Sequence, residues 1–363
     1  MAKNRKKLHD MTRVLLLHGG IIPHYRIPIY NYIDKYLHGF GFQIILAADG
    51  IQKDNPYLLK VSYSQMKLSV KNILYLIVKQ KIEVVVLFCS LRHLYLFPIL
   101  LIVKGILRKK IVYWGHGRDL ASLKNRIKNA AYNAELALCD AIILYAEHLK
   151  KYVPMSFQNK IFIANNTLCI NYSGLKGKTR KQVLNEYGIS TSKNIICVGR
   201  LQKRKRLENL LAAHASMNRQ DIGLILVGPD IDSVLDKVQG GNLFKIGPLY
   251  GDKLFDILSA ADVYCIPGAI GLSIVDGFHC GLPFVTENGD ESAEIMYLKD
   301  GINGFIVRRG NINELAEKLL LLLDNEKLRN KFSQAAKKEI AENGNIEKLC
   351  EGFRKAFLYT MEL

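Results

Sequence analysis

No two of the seven cysteines form a C-x-x-C pair, and their number is odd. That spacing argues against the common zinc-ribbon and thiol-redox arrangements. Cys89, Cys139, Cys197 and Cys265 lie in or beside apolar runs, where small buried thiols of a reducing compartment belong. No apolar stretch reaches the roughly 20 residues that a membrane-spanning helix needs. The nearest, Ile82–Ile106, is broken by Glu83, Arg92, His93 and Lys104. The opening "MAKNRKKLHDMTR" has no apolar signal region, which points to a cytoplasmic location. No strand-like run is followed by G-x-G-x-x-G with an acid about 20 residues on, so a nicotinamide-dependent enzyme is disfavoured. An RNP-type aromatic motif, a zinc finger and a bZIP pattern are missing too, and no nucleic-acid partner is expected. With 28 glycines and 9 prolines there is no repeat or low-complexity tract.

Acids are scarce beside bases: 33 Asp and Glu against 51 Lys and Arg leave a net charge of +18. The bases cluster at Lys3–Lys7, Leu107–Trp114, Lys124–Asn129 and Gln202–Arg206. Such a potential attracts phosphates on nucleotides, nucleic acid or anionic lipid, although solvated surface accounts for most lysines equally well. The run "LYLFPILLIVKGILRKK", Leu94–Lys110, is apolar with a basic end. It suits either a buried crossover helix or a helix lying on a membrane surface. At 363 residues and 49% hydrophobic content, the chain has material for two domains of about 150–200 residues each.

Short apolar runs alternate with helical spacing along the chain. "RVLLLHGG", "FQIILAA", "IEVVVLF", "KIVYWGHG", "DAIILYA" and "KIFIANNT" read as buried parallel strands, and "PIYNYIDKYLHGFG" as a helix. After a polar stretch at roughly 170–192 the pattern restarts with "NIICVGRL", "IGLILVGP", "FKIGPL", "DVYCIPG", "PFVTEN" and "NGFIV". The reading is α/β: two Rossmann-like halves with parallel sheets facing each other across an interdomain cleft, hinged at that stretch. The first spans 1–172 and the second 190–345. The tail from "INELAEKL" reads as helical throughout, and its last piece, 346–363, is expected to cross back onto the first half.

Ligands of open parallel sheets bind at the carboxyl ends of the strands. Glycines cluster at those ends: Gly19–Gly20, Gly115–Gly117, Gly199, Gly228, Gly247 and Gly268–Gly271. Glycine lets backbone approach phosphate oxygens closely. In "VGRLQKRKRLENLL", Arg200 and Lys205 could clamp a diphosphate and neutralise a departing nucleoside diphosphate; a basic surface turn is the other reading. In "PGAIGLSIVDGFHCGLPFVTENG", Gly271, Leu272 and Ser273 open a helix, and Asp276 either reaches a ribose or only satisfies the helix dipole. His116 stands between two glycines in "YWGHGRDL", which would leave its imidazole exposed to hydrogen-bond a sugar or assist proton movement. Gly19, Gly20, His24 and Arg26 form a loop that could contact an acceptor or a phosphate.

These segments resemble the retaining glycosyltransferases of family 4, which have the GT-B architecture, over nearly the whole chain. "VGRLQKRKRLENLLAA" looks like the family's strand–GRL–K–helix segment. "GLSIVDGFHCGLPFVTENGDESAEIMYLKDGINGFIV" matches its donor-site helix and following strand, and "YWGHGRDL" its histidine loop. The resemblance implies transfer of a sugar, of the hexosyltransferase type, from a nucleotide-diphosphate sugar to a lipid-linked or other glycan acceptor. The inner membrane face, cell-surface polysaccharide synthesis, and no metal or other cofactor are implied with it. Arg200 and Lys205 would hold the diphosphate, Asp276 the nucleotide ribose, amides around Gly271–Ser273 phosphate and sugar. His116 would approach the transferred sugar, the base would lie around Ile246, and Gly199 and Gly268 belong to the donor-binding set. One departure stands out. Eight residues before Asp276 is Gly268, where the family's E-x7-E motif has its first Glu, which touches donor-sugar hydroxyls. "PGAIGLS" resembles a variant of capsule and O-antigen transferases. A catalytically idle sugar-nucleotide-binding partner subunit is the alternative.

Overall fold

Apolar runs of three to seven residues form most of the strands, and most of these are buried on both faces, as parallel strands covered by helices must be. The computed structural model describes residues 11–53, 55–87, 97–170, 178–234, 240, 242–289 and 292–363. Two α/β units result, one running to Cys169 and including Asn345–Leu363, the other Ile170–Gly344.

The first unit contains β1 (Thr12–Leu17), β2 (Ile21–Ile22), α1 (Arg26–His38), β3 (Phe42–Ala48), β4 (Gly50–Ile51) and β5 (Ser62–Gln65). It continues with α2 (Val70–Lys79), β6 (Val84–Leu87), α3 (Phe97–Leu101), β7 (Lys110–Gly115), α4 (Arg126–Leu138), β8 (Ala141–Leu144) and β9 (Ile161–Ile163). Its seven-stranded parallel sheet has the order β5-β3-β1-β6-β7-β8-β9. Val14 on β1 pairs with Ile44 on one side and Val84 on the other. The order reverses between β1 and β6, which makes their carboxyl ends the switch point where ligands of such sheets bind. Beneath, α1 packs against the C-terminal helix, Ile346–Glu362, through a core that includes Ile33, Leu37, Leu349, Phe353 and Phe357. The apolar segment before β7 is α-helical over Phe97–Leu101 and continues as a π-helical turn over Ile102–Ile106. Leu94–Leu96, Cys89 and the bases Lys3–Lys7 lie outside the described residues.

The second unit holds α5 (Arg180–Glu186), β10 (Lys193–Val198), α6 (Leu207–Met217), β11 (Ile222–Val227), β12 (Leu243–Ile246) and α7 (Asp252–Ser259). Then follow β13 (Val263–Cys265), α8 (Ser273–His279), β14 (Phe284–Glu287), β15 (Gly304–Val307), α9 (Ile312–Asp324) and α10 (Glu326–Asn343). Its six parallel strands run β12-β11-β10-β13-β14-β15, so the switch point falls between β10 and β13. One expectation is refined here. The 170–192 stretch is not simply a hinge: α5 forms within it, opened by a capping box in which Thr179 and Gln182 bond each other's backbone amides. The tail, read as helical throughout, consists of three helices, each started by an asparagine side-chain cap at Asn311, Asn325 or Asn345.

Candidate active site

At the second unit's switch point the loop after β10 meets the loop after β13. Gly199 has φ +113, and Gly228, after β11, has φ +132, a region open to glycine. A Cβ on Gly228 would lie 2.2 Å from the Gly199 carbonyl oxygen, so the two strand ends touch through backbone. Gly228 N donates to Ile246 O at 3.0 Å, which brings the end of β12 alongside. Gly199, Arg200, Lys205 and Ile246 thus gather at adjoining strand ends.

Lys205 and Arg200 differ in setting. Lys205 closes a 3-10 turn before α6, and its side chain folds back over Gly199. It is 5% exposed, with Nζ donating to Val198 O at 3.4 Å. Arg200 is exposed and, among the described residues, makes no ion pair. Arg206 follows in the left-handed region (φ 53, ψ 44), and its guanidinium pairs with the fully buried Glu287 at 2.6 Å. Asn209 Nδ2 (2.6 Å) and Gly310 N (3.0 Å) also donate to Glu287. This buried carboxylate fixes the turn that carries Lys205. Nothing in the sequence distinguished it beyond its place at the end of a buried strand.

Backbone closes around Gly268. Its N donates to Lys205 O at 2.8 Å, and Ala269 N donates to Arg204 O at 3.0 Å. A Cβ there would sit 2.2 Å from Arg204 O and 2.6 Å from the Lys205 carbonyl carbon. The backbone of the Arg204–Lys205 turn fills the space, so no carboxylate of any length fits at that position.

Gly271 (φ +63) and Leu272 lead into the seven-residue α8. Ser273 Oγ donates to Ile270 O at 3.0 Å. Asp276 is partly exposed, yet its crowded surroundings push its pKa up to about 7, by desolvation alone. Beneath it lies the fully buried Tyr264, whose hydroxyl donates to Val198 O at 3.4 Å. The Val198 carbonyl therefore accepts from both Tyr264 and Lys205 and joins the two halves of the site. The sequence reading missed Tyr264 because it lies inside β13, where an aromatic reads as core.

A D-x-D triplet, Asp230-Ile231-Asp232, also lies at this end of the sheet. Its carboxylates accept backbone amides instead of facing each other: Asp230 from Val234 N and Asp232 from Lys203 N, both at 2.9 Å. Among the described residues no group of three His, Cys, Asp or Glu side chains could hold a metal ion.

In the first unit, Arg26, the first residue of α1, organises the expected acceptor-side residues. Its guanidinium lies over the rings of Trp114 (5.2 Å), Tyr25 (5.7 Å) and Tyr145 (5.8 Å). His116 stacks edge-on to Tyr145 at 4.8 Å. It is half-buried, not exposed as its flanking glycines suggested. Burial, then the nearby Arg26 and His148, lower its pKa to about 4, so the imidazole is neutral at neutral pH. His18, bonded through Nδ1 to the Tyr30 hydroxyl at 2.6 Å, is lowered to about 4 by burial and Arg26. Gly20 (φ +83) has open space above it, next to Gly19 at the switch point. His24 turns toward Gln52, with Nδ1 3.3 Å from Oε1. Arg26, His116 and the glycine loop form one cluster, and no local pattern marks His18, Trp114 or Tyr145 as belonging to it.

Residues 180–339 match the family model Glycosyl transferases group 1. An uncharacterized glycosyltransferase of Methanocaldococcus jannaschii is 24% identical over 274 residues, which is 69% of this chain and 68% of that protein. Among solved structures, a glycosyltransferase from Rickettsia africae superposes with a TM-score of 0.76 at 15% identity, covering 97% of this chain and 99% of the other. Anabaena HepE in complex with UDP-glucose gives 0.73 at 14%, covering 97% and 100%. These likenesses carry the fold, two Rossmann-like units of the GT-B type. The family match lies within the second unit, which is similar there to the group 1 glycosyl transferases.

Proposed function

We propose that the chain is a retaining, family 4 type transferase that moves a hexose from a nucleoside-diphosphate sugar to a lipid-linked glycan acceptor in cell-surface polysaccharide synthesis. The observation that carries the donor assignment is Lys205, a buried ammonium folded over Gly199 at the switch point. An ammonium held at a strand end beside glycine backbone is placed to meet the oxygens of a diphosphate. Arg200, exposed at the rim, adds a second cation, and the two together neutralise the leaving diphosphate. Asp276 accepts the ribose hydroxyls, amides around Gly271–Ser273 hold phosphate and sugar, Gly199 lines the donor site, and the base lies around Ile246. His116, neutral at working pH, hydrogen-bonds the transferred sugar. Gly19, Gly20, His24 and Arg26 face the acceptor. The acceptor hydroxyl attacks the face from which the diphosphate departs, with no enzymic nucleophile and no metal. The UDP-glucose complex of HepE supports a nucleotide sugar as donor.

The filled space at Gly268 favours one competing reading, a subunit that binds a sugar nucleotide without turning it over. Purified protein incubated with UDP- and GDP-sugars and a lipid-linked acceptor separates the two. Transfer or donor hydrolysis that collapses in Lys205→Ala and Arg200→Ala, with melting temperature retained, supports the transferase. Nucleotide-induced thermal shifts without any turnover select the idle subunit, and full activity in both variants overturns the donor site.

A further inference from the structure

On the first sheet, the crossover that carries α1 runs opposite to those that carry α2, α3 and α4, so right-handed connections put the latter three together on the other face. They pack in a row, α2 against α3 and α3 against α4. Their outward positions have an unusual composition. On α2 the exposed residues are Lys71, Tyr75, Val78 and Lys79, at the i, i+4, i+7, i+8 spacing of a single stripe. Tyr75 is 62% exposed and Val78 66%. The α3 segment and its π-helical turn expose Leu101 and Ile106, followed by Arg108, and the start of α4 exposes Ile127 beside Lys124 and Arg126. The one acidic residue within these helices is Glu135, and it is buried. Lys104 is engaged by Asp140 and is not counted.

Single exposed apolar side chains are ordinary. Five large ones on adjacent helices, interleaved with five bases and no exposed acid, are the composition of a surface that meets anionic headgroups. We infer that this face of the first unit docks on an anionic phospholipid bilayer, the apolar side chains entering the headgroup boundary and the bases meeting lipid phosphates. Among the described residues no helix is long and apolar enough to cross a membrane, so the contact is made by a face and not by a span. The docking stands on these residues alone. It rests on the proposed function only in supplying the surface where a lipid-linked acceptor would be met.

Flotation of the full chain with phosphatidylcholine vesicles, with and without phosphatidylglycerol, tests this. Binding is expected only to the anionic vesicles and to weaken as salt is raised. Lys71→Glu with Lys79→Glu lowers vesicle affinity about tenfold or more, since each base near such a surface contributes appreciably. Tyr75→Ser with Val78→Ser also lowers it, and so does Lys124→Glu with Arg126→Glu on the neighbouring helix. Lys338→Glu, exposed on α10 of the other unit, leaves binding unchanged. Equal binding to both vesicle types, absence of binding, or wild-type binding by the charge-reversed proteins overturns the inference. So does a face whose variants lose affinity for single-stranded nucleic acid while the wild type ignores vesicles. The melting-temperature response to UDP is read in parallel, and its retention in vesicle-defective variants keeps failure of docking distinct from failure of the donor site.

Discussion

Asp276 carries the clearest pH signature in the molecule. A carboxyl with its pKa raised to about 7 is only partly ionised at neutrality, whereas accepting two ribose hydroxyls requires the carboxylate. Nucleotide affinity is therefore expected to rise with pH through about 7, and Asp276→Asn to flatten that rise, as calorimetric titration with UDP would show. Stability runs the other way. Unfolded, the group ionises near pH 4, so between about 4 and 7 the unfolded chain releases a proton that the folded chain keeps. The cost appears across that window and is complete above it. Asp276→Asn should melt higher than the wild type at about pH 8, with the gap closing by about pH 4. His18 and His116 have the opposite sign. Their folded pKa values, about 4, lie below the unfolded value near 6.5. Their contribution is fully present above about 6.5 and lost as pH falls toward 4. The first unit should lose stability over that range by Trp114 fluorescence, and His18→Gln should lessen the loss.

Between elements, the turn from Gln202 to Arg206 depends on backbone contact with Pro267–Ala269. Gly268→Ala introduces a single methyl against Arg204 O and Lys205, and overpacking against backbone costs about 1–3 kcal/mol or more. It should impair UDP binding as much as Gly268→Glu does. Recovery of binding in the glutamate variant alone would show that a side chain can be housed there. Glu287→Ala would strip Arg206 of its carboxylate while the guanidinium stays largely buried, a change that destabilises by about 3–5 kcal/mol. Urea unfolding of the second unit measures it. The same elements mark what the sequence could disclose. Strands such as β10, β11 and β3 are largely apolar runs, and α6 forms over "LENLLAAHASM", where an apolar stripe and flanking turn residues agree. The edge strand β5, "SYSQ", is invisible to such reasoning because its pairing comes from β3 and not from its own pattern. Likewise Lys205 and Asp276 were legible from spacing near strand ends. Glu287, Tyr264 and the closed space at Gly268 arise from contacts between loops distant in sequence, and no local pattern records those.

For the molecule as a whole, the consequential feature is the return of the last helix. The chain leaves the first unit after Cys169, builds the second, and comes back at Asn345. Leu349, Phe353, Ala356 and Phe357 are completely buried there, and Tyr32 and Tyr36 of α1 donate to Glu347 and Glu351. Gly352 lies so close to β9 that a Cβ would stand 2.3 Å from Ile163 O, so the helix is seated on backbone. Full burial of each Leu or Phe contributes about 1.5–3 kcal/mol, and the sum for these side chains is comparable with the whole stability of a domain. The first unit is thus incomplete without the segment Asn345–Leu363, whereas the second is built from the continuous segment Ile170–Gly344. Trp114, the sole tryptophan, packs edge-on against Phe353 at 4.9 Å between centroids and reports on this junction. A chain ending at Gly344 should show red-shifted tryptophan emission and lose the first unit's cooperative melting. It should keep the second unit's unfolding transition and its response to UDP, because Lys205, Asp276 and the turn that holds them make their contacts within that unit. A truncated protein with native tryptophan emission would mean that α1 and the sheet close their core without the returning helix.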